Sequence, residues 1–598
     1  MAIKVSDYIA KYLVGYGVKH IFMITGGGAM HLNNSFGRAR GLKCIFHHHE
    51  QACAIAAEGY ARVGQRLAVV NVTSGPGGLN ALTGVMGQWT DSVPVLYISG
   101  QVKTATTIGS CPGLGLRQLG DQEVDIISIV RPITKFAISI RNPKDIKRLL
   151  DKAIYIATSG RPGPVWLDIP LDVQGALVEE SRLPGYNKRK DTLLINNKVN
   201  SKISRAIKML KDSQRPVLIA GHGIRIAGAQ EFLPGLIEKL GVPVLTTFNG
   251  FDLVPSDNRY FIGRIGTFGS RAGNFALQNA DLVLSIGSRN NIRQVSYNWN
   301  SFAHSAKKII VDIDPAELKK PTIRPDLAIN CDAGYFLKKL FKHAPFEPGW
   351  NWWLNWCRER KDRYPVVLKE YQESRAVNPY YFIQKLTQLS RASDVIVAAN
   401  ASACVVLFQA GVVKKNQRIL WNSGCASMGY DLPAAIGASL VNNAKNTICI
   451  SGDGSIQMNI QELQTIAHYK LPVKIFLLNN QGYVSIKQTQ ENFFGLPYIG
   501  CDPGSGVSFP SFSKVAKAYG IKAMVITGHR RMEVEINRAL KFKGPLLCDV
   551  VLEKDYKFAP RLSSQRLGDE RIISKSLEDM APFLSRKELQ ANILQEAE

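Results

Sequence analysis

Thr447 to Gln488 holds the side chains whose types and spacing best suit chemistry. An apolar run (Thr447 to Ser451) meets Gly452, Asp453, Gly454 and Ser455; a second (Val473 to Leu478) delivers Asn479, Asn480, Gln481 and Gly482, with 24 residues between Gly454 and Asn479. The pattern is a β-α-β unit, and a parallel crossover brings both strand ends to one sheet edge. Asp453 and Asn480 can therefore converge on one hard cation, since carboxylate and amide oxygens suit Mg²⁺ or Ca²⁺. Glycines at the strand end let backbone N–H groups approach a diphosphate at the start of a helix. A metal-bridged diphosphate is the natural ligand, although Gly-Asp-Gly alone is more often an ordinary turn.

A second candidate is Glu50, where the apolar Cys44 to Phe46 and His47-His48-His49 hand over to the helical QACAIAAEGYAR. A helix-start carboxylate interacting with the dipole is its plain structural reading. Three adjacent histidines do not share one face of a helix or strand, so they make a poor metal site.

The elements that position these residues follow from pattern. Residues 3 to 18 have the spacing of an amphipathic helix, and His20 to Ile24 that of a strand ending in Thr25-Gly26-Gly27-Gly28. Leu67 to Asn80 repeats the strand, glycine turn, helix grammar of Thr447 to Met458, so the chain contains two similar α/β domains. Between them, PVLIAGHGI, GVPVLTTFNG, ADLVLSIGSR and KKIIVDIDP mark four buried strands of a third. Residues 181–200 are polar and basic enough for a linker, the four Trp residues between Gly349 and Tyr364 suit packing against the body, and beyond Leu552 we expect loop and short helix without strands.

At 598 residues, 45% hydrophobic and 20% charged, the composition is globular. The net charge of +26 is dispersed and no motif of a nucleic-acid reader accompanies it, so anionic small molecules are the expected partners. Ten cysteines without a CxxC pair and a charged N-terminus suit a reduced, cytoplasmic protein. Asn400, Ser402 and Gln409 interrupt the uncharged stretch Val395 to Val413, so a buried strand, loop and helix start are expected there rather than a membrane span.

Taken together, TGGGAM, HEQACAIAAEGYAR, TSGPGGLN, SGQV, Ser427-Met428-Gly429-Tyr430, LPAAIGA and GDG with NN resemble the acetolactate synthase-like branch of thiamine diphosphate (ThDP) enzymes over about 550 residues. The resemblance implies three doubly wound parallel-sheet α/β domains: a pyrimidine-binding domain (1–180), a linker (181–200), a central FAD-type domain (201–345), a linker helix (346–375), a pyrophosphate-binding domain (376–555) and a tail (556–598). It assigns Mg²⁺ to Asp453, Asn480 and the Gly482 carbonyl, and the diphosphate to Gly452, Gly454 and Ser455. Glu50 becomes the carboxyl that exchanges a proton with N1′ of the aminopyrimidine, and Gln122 a second catalytic residue. Met428 props the coenzyme bent, the Ala426 carbonyl receives its amino group, and Thr25, Gly26, Pro76, Asn80, Ser402, Ala403 and Cys404 complete the contacts.

For FAD the corresponding residues are Gly221, Gly223, Thr247, Phe248, Asn249, Gly266, Thr267, Phe268, Ser288, Arg289, Arg293, Asp312, Ile313, Asp332 and Ala333. A homodimer or homotetramer is implied, with each coenzyme between two chains. Departures bear on the substrate: Asp121 replaces a Phe, Leu171 a Lys, Ile292 an Asp and Thr489 a Trp, and a glycine-rich stretch, Ser110 to Gly120, is added. Loss of a cation and a large aromatic enlarges the acceptor site. We therefore expect decarboxylation of pyruvate with transfer of the two-carbon unit to a nucleotide-linked keto sugar, as in branched-sugar (yersiniose-type) carboligases. The alternatives are acetolactate synthesis from two 2-keto acids and flavin-linked pyruvate oxidation.

Overall fold

The computed structural model describes residues 2–187, 197–343, 349–441, 446–566 and 572–594. Three six-stranded sheets, all parallel, form its frame. Their inner strands are short apolar runs buried on both faces, as parallel sheets covered by helices require, while edge strands such as Lys43–Phe46 and Lys522–Ile526 are partly exposed. The first sheet has the spatial order Lys43–Phe46, His20–Met23, Ala68–Val72, Val95–Gln101, Val165–Pro170, Phe136–Ser139. The central sheet runs Phe261–Arg264, Val244–Thr246, Pro216–Ala220, Leu282–Ile286, Lys307–Asp312, Leu327–Asn330. The last runs Arg418–Leu420, Val395–Ala398, Thr447–Gly452, Val473–Asn479, Leu546–Val551, Lys522–Ile526.

In each sheet the strand order reverses near the middle, which opens a crevice beyond the strand ends. The reversal lies beside His20–Met23 and Ala68–Val72 in the first sheet, Pro216–Ala220 and Leu282–Ile286 in the second, and Val395–Ala398 and Thr447–Gly452 in the third. The glycine turns follow these strands, so topology alone brings the candidate residues to three crevices.

First and last domains meet where the helix Glu50–Gly64 crosses the helix Asp431–Val441. The crossing is backbone to backbone: a Cβ on Gly437 would stand 1.8 Å from the Ala56 carbonyl oxygen, and one on Gly59 2.2 Å from that of Ala434. Beneath it Glu58, fully buried, accepts from Arg62, Asn422 and the Tyr430 hydroxyl. Asp252 joins central and last domains through ion pairs to Arg225 (2.9 Å) and Arg418 (2.6 Å).

Several expectations need correction. The central sheet has six strands rather than four; Phe261–Arg264 and Leu327–Asn330 are too short and mixed to announce themselves. Residues 3 to 18 divide into an edge strand, Ala2–Lys4, and the helix Val5–Tyr16, because the first residues pair with Leu177–Glu179. The linker expected over 181–200 ends early, since a helix begins at Asn197, while 188–196 lie outside the described residues. The tail contains strands, Arg561–Leu562 with Met580–Ala581 and Ser564–Arg566 with Ile572–Ser574, whose partners are supplied by the tail itself. The Trp-rich helix Asn351–Arg363 does pack inward: Trp353 is fully buried and donates to the Pro216 carbonyl. Among the described residues no helix is long and apolar enough to cross a membrane.

Candidate active site

Glu50 is the first residue of its helix, and the three histidines before it have divergent structural tasks. His47 pairs with buried Glu462 at 2.8 Å, the His48 N–H donates to the same carboxylate, and the His49 ring caps the helix by accepting from the Gln51 N–H. The Glu50 side chain stays partly exposed, and its Oε2 accepts from the Asn80 amide at 3.0 Å. Thr25 to Gly28 packs on Thr73 and Ser74, and the turn at Gly75 touches Gln122, whose carbonyl lies 2.6 Å from where a Gly75 Cβ would stand. Gly75 has φ +61° and Gln122 φ +60°, a left-handed conformation unusual for a glutamine. Glu50, Asn80, Pro76, Gln122, Thr25 and Gly26 thus gather at one crevice.

The second group centres on Asp453, 2% exposed. Its Oδ1 accepts from the Gly454 N–H (2.8 Å), its Oδ2 from the N–H groups of Asn480 and Gly482 (3.2 Å each), and the Asn480 amide donates to the Gly482 carbonyl (2.7 Å). Burial pushes the carboxyl up to about 6, against the backbone N–H groups of Gly482, Gly454, Gln481 and Asn480. No described lysine or arginine pairs with it. A buried carboxylate beside an amide and a backbone carbonyl, without a protein cation, is a donor set that fits Mg²⁺.

Around it the chain leaves room for a ligand. A Cβ at Gly452 would meet nothing within 4 Å, whereas one at Gly454 would strike the Tyr483 ring at 2.1 Å. The Ser455 hydroxyl accepts from the Gly429 N–H (2.9 Å) and donates to buried Asp431, which ties Gly429 to the candidate metal loop. Met428 is 37% exposed. Ala426 is held at φ +54° with its N–H on Asn422, and Ala401, at φ +56°, starts the helix Ser402–Ala410. Left-handed alanines cost of order 1–3 kcal/mol and concentrate where function needs a fixed backbone. Cys404 is buried and its thiol is pushed up to about 12 by burial, so it contributes shape rather than nucleophilicity.

A cavity of about 440 Å³ lies at the central crevice. Of the residues matched to flavin, Gly223, Thr247, Phe248, Asn249, Ser288, Arg289, Asp312, Ile313, Asp332 and Ala333 line it. Gly221, Gly266, Thr267, Phe268 and Arg293 do not. Gly221 lies behind the wall against Gly287, while the Thr267 N–H donates to the Arg293 carbonyl and Arg293 covers the rings of Phe248 and Phe268. Three buried polar atoms of lining residues, Asp91 Oδ1, His222 Nδ1 and Asn249 Oδ1, have no hydrogen-bond partner. Burial holds His222 well below its ordinary pKa and pushes Asp312 up to about 6. Orphaned polar atoms beside a glycine-paved crevice fit a polar ligand.

Several contributors escaped sequence reasoning. Thr90, Asp91, Gly160, Arg161 and Ser423 wall the central cavity from other domains, and no local pattern announces a wall built across domains. Asp431 is hidden at the start of an ordinary-looking helix. Gly287 and Gln294 follow strand ends of the kind already singled out at Gly221, which was the available signal.

Fold and site together define a thiamine diphosphate-dependent enzyme of three α/β domains. Residues 3–129, 203–340 and 401–550 match, respectively, the families described as thiamine pyrophosphate enzyme N-terminal TPP binding domain, central domain and C-terminal TPP binding domain. The acetolactate synthase large subunit of Porphyra purpurea is 33% identical over 570 residues, 94% of each chain. That of Lactococcus lactis is 31% identical over 575 residues, 95% of this chain and 96% of its own, and the chloroplastic acetolactate synthase 3 of Brassica napus 32% over 578, 94% and 85%. The chain belongs to the thiamine pyrophosphate enzymes and is a carboligase of their acetolactate synthase-like group.

Proposed function

We propose that this enzyme decarboxylates pyruvate and joins the two-carbon unit to a second 2-keto acid, forming acetolactate. What carries this reading is the intact pair of sites, Glu50 with Asn80 and Asp453 with Asn480 and Gly482, in a chain 31–34% identical to acetolactate synthases along most of its length. Thiamine diphosphate, when bound, supplies a carbon nucleophile at C2 and an electron sink for the loss of CO₂. Glu50 exchanges a proton with N1′ of the aminopyrimidine, and Asn80 holds its carboxylate in place. Asp453, Asn480 and the Gly482 carbonyl hold Mg²⁺, Met428 and the Ala426 carbonyl position the aminopyrimidine, and Gln122 orients the substrate. The residues of the central cavity would hold FAD, with His222 and Asn249 offering unpaired polar atoms. The site is completed in a homodimer or dimer of dimers, and ten free cysteines suit a reducing cytoplasm.

One observation favours a bulkier acceptor as a second reading. The added stretch before Gln122 walls a cavity of about 560 Å³ that reaches Gln101 and Asp168 and includes Arg131 and Arg141. With Arg131 and Arg141 beside Glu123, Asp125 and Asp168, that space suits a sugar-sized polar carbonyl compound such as a nucleotide-linked keto sugar. The test is to incubate pure protein with ThDP, Mg²⁺ and pyruvate, with and without keto sugars, and identify products by mass. Acetolactate as the fastest product supports the first reading. A sugar adduct formed in preference to it replaces that reading with the second.

A further inference from the structure

The geometry points to Tyr556 as a hydrogen-bond donor to the diphosphate of the coenzyme, contributed by the tail. The proposal rests on thiamine diphosphate occupying the Asp453 site, and it concerns a residue beyond 550, where the family match ends. Tyr556 is 5% exposed and its hydroxyl, sealed from solvent, makes no hydrogen bond. Such a group is costly to bury unless a ligand completes it. Its ring packs in the apolar cluster that includes Ala403 and Cys404, in the first turn of the nine-residue helix Ser402–Ala410, and Val484, two residues beyond Gly482. The phenol therefore lies by a helix N-terminus, which favours an anion, and near the segment that follows the candidate metal ligand Gly482.

Its position is fixed from both sides of the backbone. The Gln488 amide donates to the Tyr556 carbonyl (3.0 Å), the Phe558 N–H donates back to Gln488, and the Ala559 N–H donates to the Tyr380 hydroxyl (2.9 Å). The Leu562 N–H then bonds the Thr267 carbonyl of the central domain. A neutral phenol is a donor suited to a phosphate oxygen.

The test is Tyr556→Phe in the full chain, which keeps the ring and removes only the donor. ThDP affinity is measured by calorimetric titration with Mg²⁺ present, and the melting temperature is measured with and without coenzyme. We expect ThDP to bind about tenfold more weakly, the order of one hydrogen bond to a charged group, while the coenzyme-free variant melts no lower than wild type. Equal affinity in the two proteins overturns the proposal, as does a weaker affinity matched by an equal loss of stability without coenzyme. Asp453→Ala is the control for the site: failure of wild type itself to take up ThDP overturns the cofactor assignment and this inference together, whereas loss in Asp453→Ala with no change in Tyr556→Phe overturns Tyr556 alone.

Discussion

Glu50 and Asn80 come from different elements, and their 3.0 Å contact holds a carboxylate half in the open at the head of a helix. A carboxyl group left so accessible is placed to trade a proton rather than to stabilise the fold. Glu50→Gln keeps size and hydrogen-bonding reach but cannot ionise. We expect it to retain ThDP and to slow exchange of the coenzyme C2 proton by about 10²–10⁴, the usual contribution of a lost acid–base group, read by deuterium exchange of bound coenzyme. Exchange at the wild-type rate would remove Glu50 from catalysis.

At the scale of elements, the glycine turns and the crossing of Glu50–Gly64 with Asp431–Val441 decide where these residues stand. Gly437→Ala forces a methyl to within 1.8 Å of the Ala56 carbonyl, so the helices must part. Overpacking of this kind costs about 1–3 kcal/mol, and we expect a lower melting temperature together with weaker catalysis, because Glu50 rides on the same helix. Gly15→Ala is the matched control: it lies in the helix Val5–Tyr16 with nothing within 4 Å of its Cβ, and should leave stability equal or slightly raised. The small-residue helices were legible from AIAAEGYAR and LPAAIGASL, but their mutual contact was not, because no local pattern says which helix a glycine faces.

For the whole molecule the question is which chains build one active site. Among the described residues no hydrogen bond or ion pair joins Glu50 to Asp453, Asn480 or Gly482. Exposed apolar side chains flank both groups: Met30 and Leu79 near Glu50, Met428 and Met458 near Asp453. Apolar surface of this kind suits a second copy of the chain. Mixing Glu50→Gln and Asp453→Ala chains, each inactive, should then restore about a quarter of wild-type activity, since half the random dimers are mixed and each carries one intact site. A fully active monomer in solution would overturn the arrangement.

The sequence by itself determined the parts whose chemistry is local. Gly-Asp-Gly-Ser and Asn-Asn at the ends of two apolar runs, and Glu50 where a strand meets a helix, marked a candidate metal loop and a candidate carboxyl group, and the strand patterns marked the three α/β units. Short strands such as Phe261–Arg264 and the self-paired tail were not legible, because a strand of two to four residues is made by its partner more than by its own composition. Only the tertiary structure decided which residues wall the central cavity, that Asp431 lies beneath Ser455, and that Tyr556 returns from beyond the last sheet with its hydroxyl unpaired. Those facts depend on groups far apart in the chain meeting in a space without water, where an unpaired donor becomes a site because nothing else can satisfy it.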